Sequence, residues 1–199
     1  MRRHLVLFVR SPQLGAGKRR LARAIGDVAT VQFERVMLAL LLRRLAADQR
    51  WRLCVAVTPD RARGQARHWR RGVEAMRQGR GDLGTRMRRS LAACPPGPAV
   101  LVGGDIPAIA AHHIAAAFRL LGGCDLVFGP AADGGFWLVG TRRTRPLPTL
   151  FERVRWSSHH ALADTLAGLP CSLKVGFVDR LEDVDDAEAY RRLSPRRGF

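Results

Sequence analysis

The segment Ala99–Pro107, with the sequence AVLVGGDIP, constrains the fold of this chain more than any other. Its first four residues are apolar and follow three nearby prolines, which is typical of a short strand buried on both faces of a sheet. Both faces of such a sheet are covered by helices. The segment therefore predicts an α/β fold.

Asp105, at the end of this strand, is the first candidate for a functional residue. Two glycines before it allow the chain to turn, and Pro107 is predicted to begin a helix that ends near Leu121. Ligands of open α/β sheets collect at the carboxyl ends of the strands, and a carboxylate there is suited to hold a divalent metal against a phosphate. The alternative interpretation is that Asp105 only caps the following helix.

Alternating apolar runs and amphipathic stretches fill the rest of the chain. They predict a three-layer α/β/α sandwich with a mostly parallel sheet, formed as a single domain over residues 1–199. The further predicted strands are Leu5–Val9, Leu53–Val57, Val73–Met76, Asp125–Gly129, Phe136–Gly140 and Ser172–Val178. The clearest predicted helices are Val31–Ala47, His159–Leu166 and Ala187–Leu193.

The composition is strongly basic, with a formal net charge of +17 at pH 7. All but two of the 34 basic residues are arginine, but they are dispersed along the chain, and Tyr190 is the only tyrosine. We therefore expect only non-specific, salt-dependent contact with nucleic acid, since aromatic side chains for base stacking are few. An arginine-rich nucleic-acid-binding protein stays open as an alternative.

The cellular setting is predicted from absent signals. No apolar run reaches the length of a membrane span, and no cleavage site follows the basic amino terminus. The four cysteines have neither metal-ligand spacing nor a compact disulfide pattern. We expect a cytoplasmic protein without a membrane span, and the sequence does not indicate its oligomeric state.

A glycine loop near the amino terminus is a candidate phosphate site. After the first predicted strand, Gly15 and Gly17 make a flexible loop, and Lys18 and Arg20 open a helix. Backbone amides and cations at such a position favour a bound anion. The spacing matches neither a Walker A loop nor GxGxxG, so an ordinary surface turn is the alternative interpretation.

Three further segments carry polar residues at predicted turns. The amide of Gln78, in the glycine-rich stretch QGRGDL, is suited to read a base edge. Asp133 lies between two strands, where it either reaches an acceptor or simply forms a turn. Asp183 and Asp185 project to one side of an extended chain and suit a metal ion, whereas Asp185 or Asp186 alternatively caps the last helix.

The order of these motifs resembles that of the DUF2064 family, bacterial transferases related to nucleotide-diphospho-sugar transferases. The resemblance covers nearly the whole chain and rests on SPQLGAGKRRLA, QGRGDLGTRM, VLVGGDIPAI, DLVFGPAADGGFWLVG, RWSS and DVDDAEAY. It implies the GT-A-like fold of nucleotide-diphospho-sugar transferases. The chain departs from the family pattern at Arg19, Gly104, Ile106 and Asp186.

The resemblance also implies roles for individual residues. The nucleotide would be bound by Gly15, Gly17, Lys18, Arg20, Gln78, Gly81, Asp82, Gly84 and Gly104. Asp105, Asp183 and Asp185 would hold Mg²⁺ or Mn²⁺. Asp133, Gly134 and Gly135 would contact the acceptor, and Asp105, Lys18 and Asp133 would carry the catalysis.

The implied activity is a metal-dependent transfer from a nucleotide-activated donor. We expect a glycosyltransferase that moves a sugar from a nucleotide-sugar to a small-molecule acceptor. Nucleotidyl transfer to a phosphorylated small molecule is the alternative, because the same carboxylates and cations serve either reaction. The sugar, the base and the acceptor are not specified by the sequence.

Overall fold

The computed structural model describes residues 1–143, 150–184 and 186–193. Seven strands form one sheet, and helices cover both of its faces. The strands are β1 (His4–Arg10), β2 (Arg52–Thr58), β3 (Glu74–Arg77), β4 (Ala99–Gly103), β5 (Leu126–Pro130), β6 (Phe136–Thr141) and β7 (Val175–Phe177). The helices are α1 (Arg19–Ile25), α2 (Asp27–Ala46), α3 (Ala66–Trp69), α4 (Leu83–Ala92), α5 (Ala111–Leu120), α6 (Ala161–Ala167) and α7 (Ala187–Leu193), with a 3₁₀ turn at Asp60–Gln65.

The sheet order is β3-β2-β1-β4-β6-β5-β7. All described pairings are parallel except those of β6, which runs antiparallel to both β4 and β5. The predicted mostly parallel sheet is therefore confirmed. Because β6 is reversed, its first residue lies at the same edge as the carboxyl ends of β1 and β4.

Alternate residues of the central strands pack into two separate cores. On one face, Leu5 and Leu7 of β1 pack with α1, α2, α5 and α7. On the other face, Val6 packs with residues of α4 and α6. Strands of this kind carry apolar residues on both sides, as the AVLV run of β4 indicates. The predicted three-layer sandwich is confirmed.

The predicted start of the helix after β4 is wrong, and α2 begins four residues before the predicted Val31. Helix α5 begins at Ala111, four residues after Pro107, and its first turn is capped by the Nδ1 of His113, which accepts the backbone N–H of Ala110 at 3.1 Å. The extra residues form a turn at the carboxyl edge of β4, where Asp105 lies. Asp105 therefore does not cap α5, and its carboxylate is available to the edge of the sheet.

No helix in the three described ranges is long and apolar enough to cross a membrane.

Candidate functional site

A cleft runs along the carboxyl edge of the central strands, and it has two ends. One end, of about 590 Å³, is lined by Phe8, Arg10 and Glu34 among others. The other end, of about 770 Å³, is lined by Asp133 and Asp183 among others. We call these the β1 end and the acidic end. Gly17, Lys18, Gly103 and Asp105 line both ends, so they lie where the two meet.

An ion pair between Lys18 and Asp105 occupies the middle of the cleft. The Nζ of Lys18 lies 3.2 Å from the Oδ2 of Asp105, although the two residues are far apart in the sequence. The Lys18 side chain is 11% exposed and that of Asp105 is 39% exposed. The lysine is thus largely enclosed by protein, while the carboxylate faces the cleft. The structure brings together two residues that the sequence proposed for different motifs.

Asp183 reaches the same cleft because its segment is hydrogen-bonded to the turn after β4. The backbone N–H of Val184 donates to the carbonyl of Asp105 at 3.2 Å, and Asp183 lines the acidic end together with Asp105. Asp185 lies outside the described residues. Asp186 caps α7, because its Oδ1 accepts the N–H groups of Glu188 and Ala189 at 3.0 and 2.9 Å.

The two described carboxylates suit a divalent cation by their chemistry. Mg²⁺ and Mn²⁺ prefer hard oxygen ligands, and the carboxylates of Asp105 and Asp183 line the same cavity with part of their surface open to it. A main-chain hydrogen bond fixes the two segments to one another. The donor set therefore fits the metal that the resemblance implies.

The glycine loop before α1 approaches a half-buried acid. A Cβ atom on Gly17 would lie 2.2 Å from the Oε1 of Glu34, so the carboxylate of α2 packs directly against this glycine. Burial raises the pKa of Glu34, while the backbone N–H of Lys18 favours its charged form. Gly15, at φ +70°, faces a neighbouring depression on the other side of the loop, and Arg20 lines the acidic end.

Gln78 does not reach the cleft in this structure. Its side chain is fully buried, and its Nε2 donates to the carbonyls of Val9 and Ala56 at 2.9 and 2.8 Å. These bonds tie the end of β3 to β1 and β2. The amide thus joins strands here, while base reading by Gln78 stays a prediction.

The rest of the QGRGDL stretch leads directly into α4, a helix that its glycines do not indicate. Asp82 caps α4, since its Oδ1 accepts the N–H of Thr85 at 2.8 Å, and this contact together with the Thr85 side chain lowers the pKa of Asp82. Gly81 adopts φ +116° before the cap. Gly84 lies within the helix, where a Cβ atom would meet Phe151 and Trp156 at 2.4 and 2.7 Å.

The acidic end also contains the DGG turn. Asp133 and Gly135 line the cleft, and the Oδ1 of Asp133 accepts the N–H of Gly135 at 2.8 Å. Gly134 adopts φ +87°, and a Cβ there would lie 2.3 Å from the carbonyl oxygen of His159. Asp133 therefore forms the turn and faces the cleft, so the two interpretations of this residue are compatible.

An aromatic wall faces these acids, and sequence reasoning missed it. Phe136, Trp137 and Trp156 line the acidic end. The ring of Phe136 stacks on that of Phe151 with centroids 6.0 Å apart and meets Trp156 at 6.2 Å. Aromatic faces of this kind suit sugar rings and bases. The RWSS motif was the available signal for Trp156, but its partners are distant in the sequence.

A second cluster with ligand-type side chains lies outside the cleft. Atoms of His112, His113 and Asp179 lie within 4.8 Å of one another. The Nδ1 of His113 already accepts the N–H of Ala110, so in the neutral ring Nε2 carries the proton and faces Asp179 at 3.8 Å. Burial lowers the pKa of His113. These contacts explain the cluster: His113 caps α5 through its Nδ1 and faces the carboxylate of Asp179 through its Nε2.

Solved structures share this fold. The chain is similar to a candidate nucleotide-diphospho-sugar transferase from Desulfovibrio desulfuricans G20, with a TM-score of 0.87 and 25% identity over 98% of this chain and 88% of that one. It is also similar in fold to 4-diphosphocytidyl-2C-methyl-D-erythritol synthase from Anaerococcus prevotii DSM 20548, with a TM-score of 0.61 and 9% identity over 98% of this chain and 99% of that one.

A third solved structure is glucosyl-3-phosphoglycerate synthase from Mycobacterium tuberculosis, in complex with Mn²⁺, uridine diphosphate and glucosyl-3-phosphoglycerate. Its TM-score is 0.59, with 13% identity over 98% of this chain and 76% of that one. No curated protein matches the sequence. A family model described as an uncharacterized protein conserved in bacteria, DUF2064, matches residues 41–158. Because that match spans more than half of the sequence, the chain belongs to the DUF2064 family.

Proposed function

We propose that this protein is a metal-dependent transferase that uses a nucleotide-activated donor. The observation that carries the proposal is the Lys18–Asp105 pair, at 3.2 Å, in a cleft that also contains Asp183. The cation and the two carboxylates lie at the carboxyl edge of a mostly parallel sheet, where α/β proteins bind their ligands. The shared fold of nucleotide-using transferases supports the same function.

Lys18 is proposed to contact the phosphates of the donor. Without ligand its ammonium group balances the charge of Asp105. A bound diphosphate offers stronger charge-assisted hydrogen bonds, so the lysine is well placed to change partner from carboxylate to phosphate. The loop Gly15–Gly17 and the exposed Arg20 border the same region and add amide and cationic contacts.

Asp105 and Asp183, with Asp185 as the sequence indicates, would hold Mg²⁺ or Mn²⁺. When bound there, such a cation supplies positive charge that stabilises a departing diphosphate. The protein's part is to keep both carboxylates at one edge of the sheet, through the turn after β4 and the Val184–Asp105 hydrogen bond.

The acidic end is proposed to bind the acceptor. The Oδ1 of Asp133 accepts a hydrogen bond from the N–H of Gly135. The Oδ2 is therefore left to accept the proton of an attacking hydroxyl. In glycosyl transfer the hydroxyl oxygen forms a bond to the sugar carbon, and the bond from that carbon to the diphosphate oxygen breaks. The aromatic wall of Phe136 and Trp156 suits a sugar in this position.

Glycosyl transfer is the reaction we propose first, because a candidate nucleotide-diphospho-sugar transferase shares the fold with a TM-score of 0.87. Nucleotidyl transfer is the second candidate, because a cytidylyl-transferring synthase has the same fold with a TM-score of 0.61. In that reaction a phosphate oxygen of the substrate attacks the α-phosphorus and pyrophosphate leaves. Lys18 and the carboxylates would serve both reactions.

The test is a thermal-shift series with nucleotides and nucleotide-sugars, each with and without Mn²⁺. A ligand at about a hundred times its dissociation constant adds about 2.7 kcal/mol to the stability, which is roughly 5–10 °C for a chain of this size. Stabilisation by a nucleotide-sugar above its parent nucleotide supports glycosyl transfer, and preference for a nucleoside triphosphate supports nucleotidyl transfer.

Asp105→Asn supplies the site control for this series. It is expected to remove the Mn²⁺-dependent part of the shift, because it removes a charged ligand. Glu152→Gln makes the same change of charge at an exposed residue outside the cleft and should leave the shift intact. An unchanged Mn²⁺-dependent shift and turnover in Asp105→Asn would rule out this site.

A further inference from the structure

Arg86 is a half-buried cation with no hydrogen-bond partner for its guanidinium among the described residues. Its Nε is fully buried and unsatisfied. The guanidinium lies over the ring of Phe8, with Cζ 5.6 Å from the ring centroid, and Phe8 lines the β1 end of the cleft. Buried polar groups are nearly always satisfied in folded proteins, so an orphaned guanidinium next to a cleft needs an explanation.

A second cation faces the same place. Arg10 follows Phe8 by two residues on β1, so both side chains project from the same face of the strand, and Arg10 also lines the β1 end. Burial and the nearby positive charge of Arg10 together lower the pKa of Arg86. Two guanidinium groups therefore repel one another beside Phe8, which lines the β1 end.

The neighbouring carboxylates offset the charge of this pair only in part. Asp60 and Asp82 attract Arg86, but neither forms an ion pair with it, and each accepts a backbone N–H instead, from Gly79 at 3.0 Å and from Thr85 at 2.8 Å. Glu34 faces Arg10 from α2, and burial raises the pKa of this acid. Within the described ranges no ion pair joins Arg10 or Arg86 to a carboxylate.

We propose that Arg10 and Arg86 form a second anion subsite in the cleft, separate from Lys18, which binds one phosphate-type oxyanion of the substrate. A dianion bound by the two guanidinium groups offsets their mutual repulsion. Guanidinium is suited to this because its planar fork matches the oxygens of phosphate. The subsite deepens the proposed function, since it takes the cleft as the substrate site.

The subsite has a consequence for the substrate class. Lys18 and Asp105 lie where the two ends of the cleft meet, Arg10 lines the β1 end, and Arg86 packs on Phe8, which lines that end. A ligand that uses both must carry anionic groups in two places, such as the separate phosphates of a nucleoside triphosphate. Asp133 lines the acidic end and not the β1 end, so the anion belongs to the donor side of the cleft.

The experiment measures binding of sodium pyrophosphate by calorimetry, in EDTA and at constant ionic strength. Arg86→Gln and Arg10→Gln are each expected to weaken binding about tenfold, the usual effect of losing a charge-assisted hydrogen bond. Arg88→Gln makes the same change of charge on the exposed side of α4 and is expected to change the affinity less than about twofold. Arg10 is exposed, so folding of its variant is not in question.

Equal affinities in the wild type, Arg86→Gln, Arg10→Gln and Arg88→Gln would overturn the subsite, and so would absence of pyrophosphate binding to the wild type. This outcome is independent of the test of the metal site. The Asp105→Asn variant loses a negative charge, so it is expected to keep metal-free pyrophosphate binding. Repeating Arg86→Gln with nucleoside triphosphates and nucleotide-sugars then assigns the oxyanion. A loss confined to triphosphates assigns it to a terminal phosphate, and an equal loss assigns it to the shared diphosphate.

Discussion

Gly84→Ala tests whether the glycine in α4 serves packing. In the structure an added Cβ would lie 2.4 Å from the Cβ of Phe151 and 2.7 Å from Cζ2 of Trp156. Both distances are far below van der Waals contact, and the first atom is the stem of a buried side chain that cannot rotate away. Overpacking of this kind costs about 1–3 kcal/mol.

The expected result is a fall in the thermal midpoint. For a chain of this length, about 2 kcal/mol corresponds to roughly 4–8 °C. A matching decrease in the urea midpoint with an unchanged slope would show that stability, and not the extent of unfolding, has changed. The substitution also displaces Trp156, which lines the acidic end, so we expect weaker stabilisation by nucleotide-sugars.

Gly123→Ala is the matched control for this substitution. No heavy atom lies within 4 Å of a Cβ built at Gly123, and its φ is not positive. The thermal midpoint should stay the same or rise slightly, because alanine restricts the unfolded chain. If Gly84→Ala were as stable as Gly123→Ala, the packing argument would be refuted, and a role of Gly84 in ligand binding would gain support.

Two further substitutions test the electrostatics of the site. Asp82→Ala should cost about 1 kcal/mol by removing the cap of α4, while Asp82→Asn should keep most of it, and equal losses in urea unfolding would contradict the capping role. Burial raises the pKa of Glu34 above its ordinary value of 4.5, so the folded state binds a proton on this carboxyl group more tightly than the unfolded state does. The folded state therefore loses stability as the pH rises above 4.5 and through the raised pKa. Glu34→Gln should therefore raise the thermal midpoint relative to the wild type more at pH 7 than at pH 4, and a larger gain at pH 4 would refute this sign.

Most elements of the fold, though not α4, were predictable because their signals are local. The apolar run before Asp105 and the alternation of strands and helices place this carboxylate at the carboxyl edge of a sheet, where the structure has it. The position of Lys18 beside Asp105 follows from the parallel pairing of β1 and β4, which brings the two loops to one edge.

Residues whose roles depend on distant contacts were not predictable in the same way. Gln78 has the donors that base recognition needs, but its register beside β2 turns the amide to two backbone carbonyls. Arg86 is one of many arginines in the sequence, and only the fold places it against Phe8. Likewise, nothing local to RWSS indicates that Trp156 contacts Phe136 in the wall of the cleft.

The segment that carries Asp183 is held to the sheet by its main chain. The N–H of Leu181 donates to the carbonyl of Pro130, and that of Ala132 donates to the carbonyl of Leu181, both at 3.1 Å. These bonds and the one from Val184 do not involve the side chain at position 183. The place of the proposed metal ligand is thus fixed by the backbone, while its chemistry is set by the side chain at position 183. A protein of this architecture can therefore evolve a different metal preference by exchanging that residue, without rebuilding the loop.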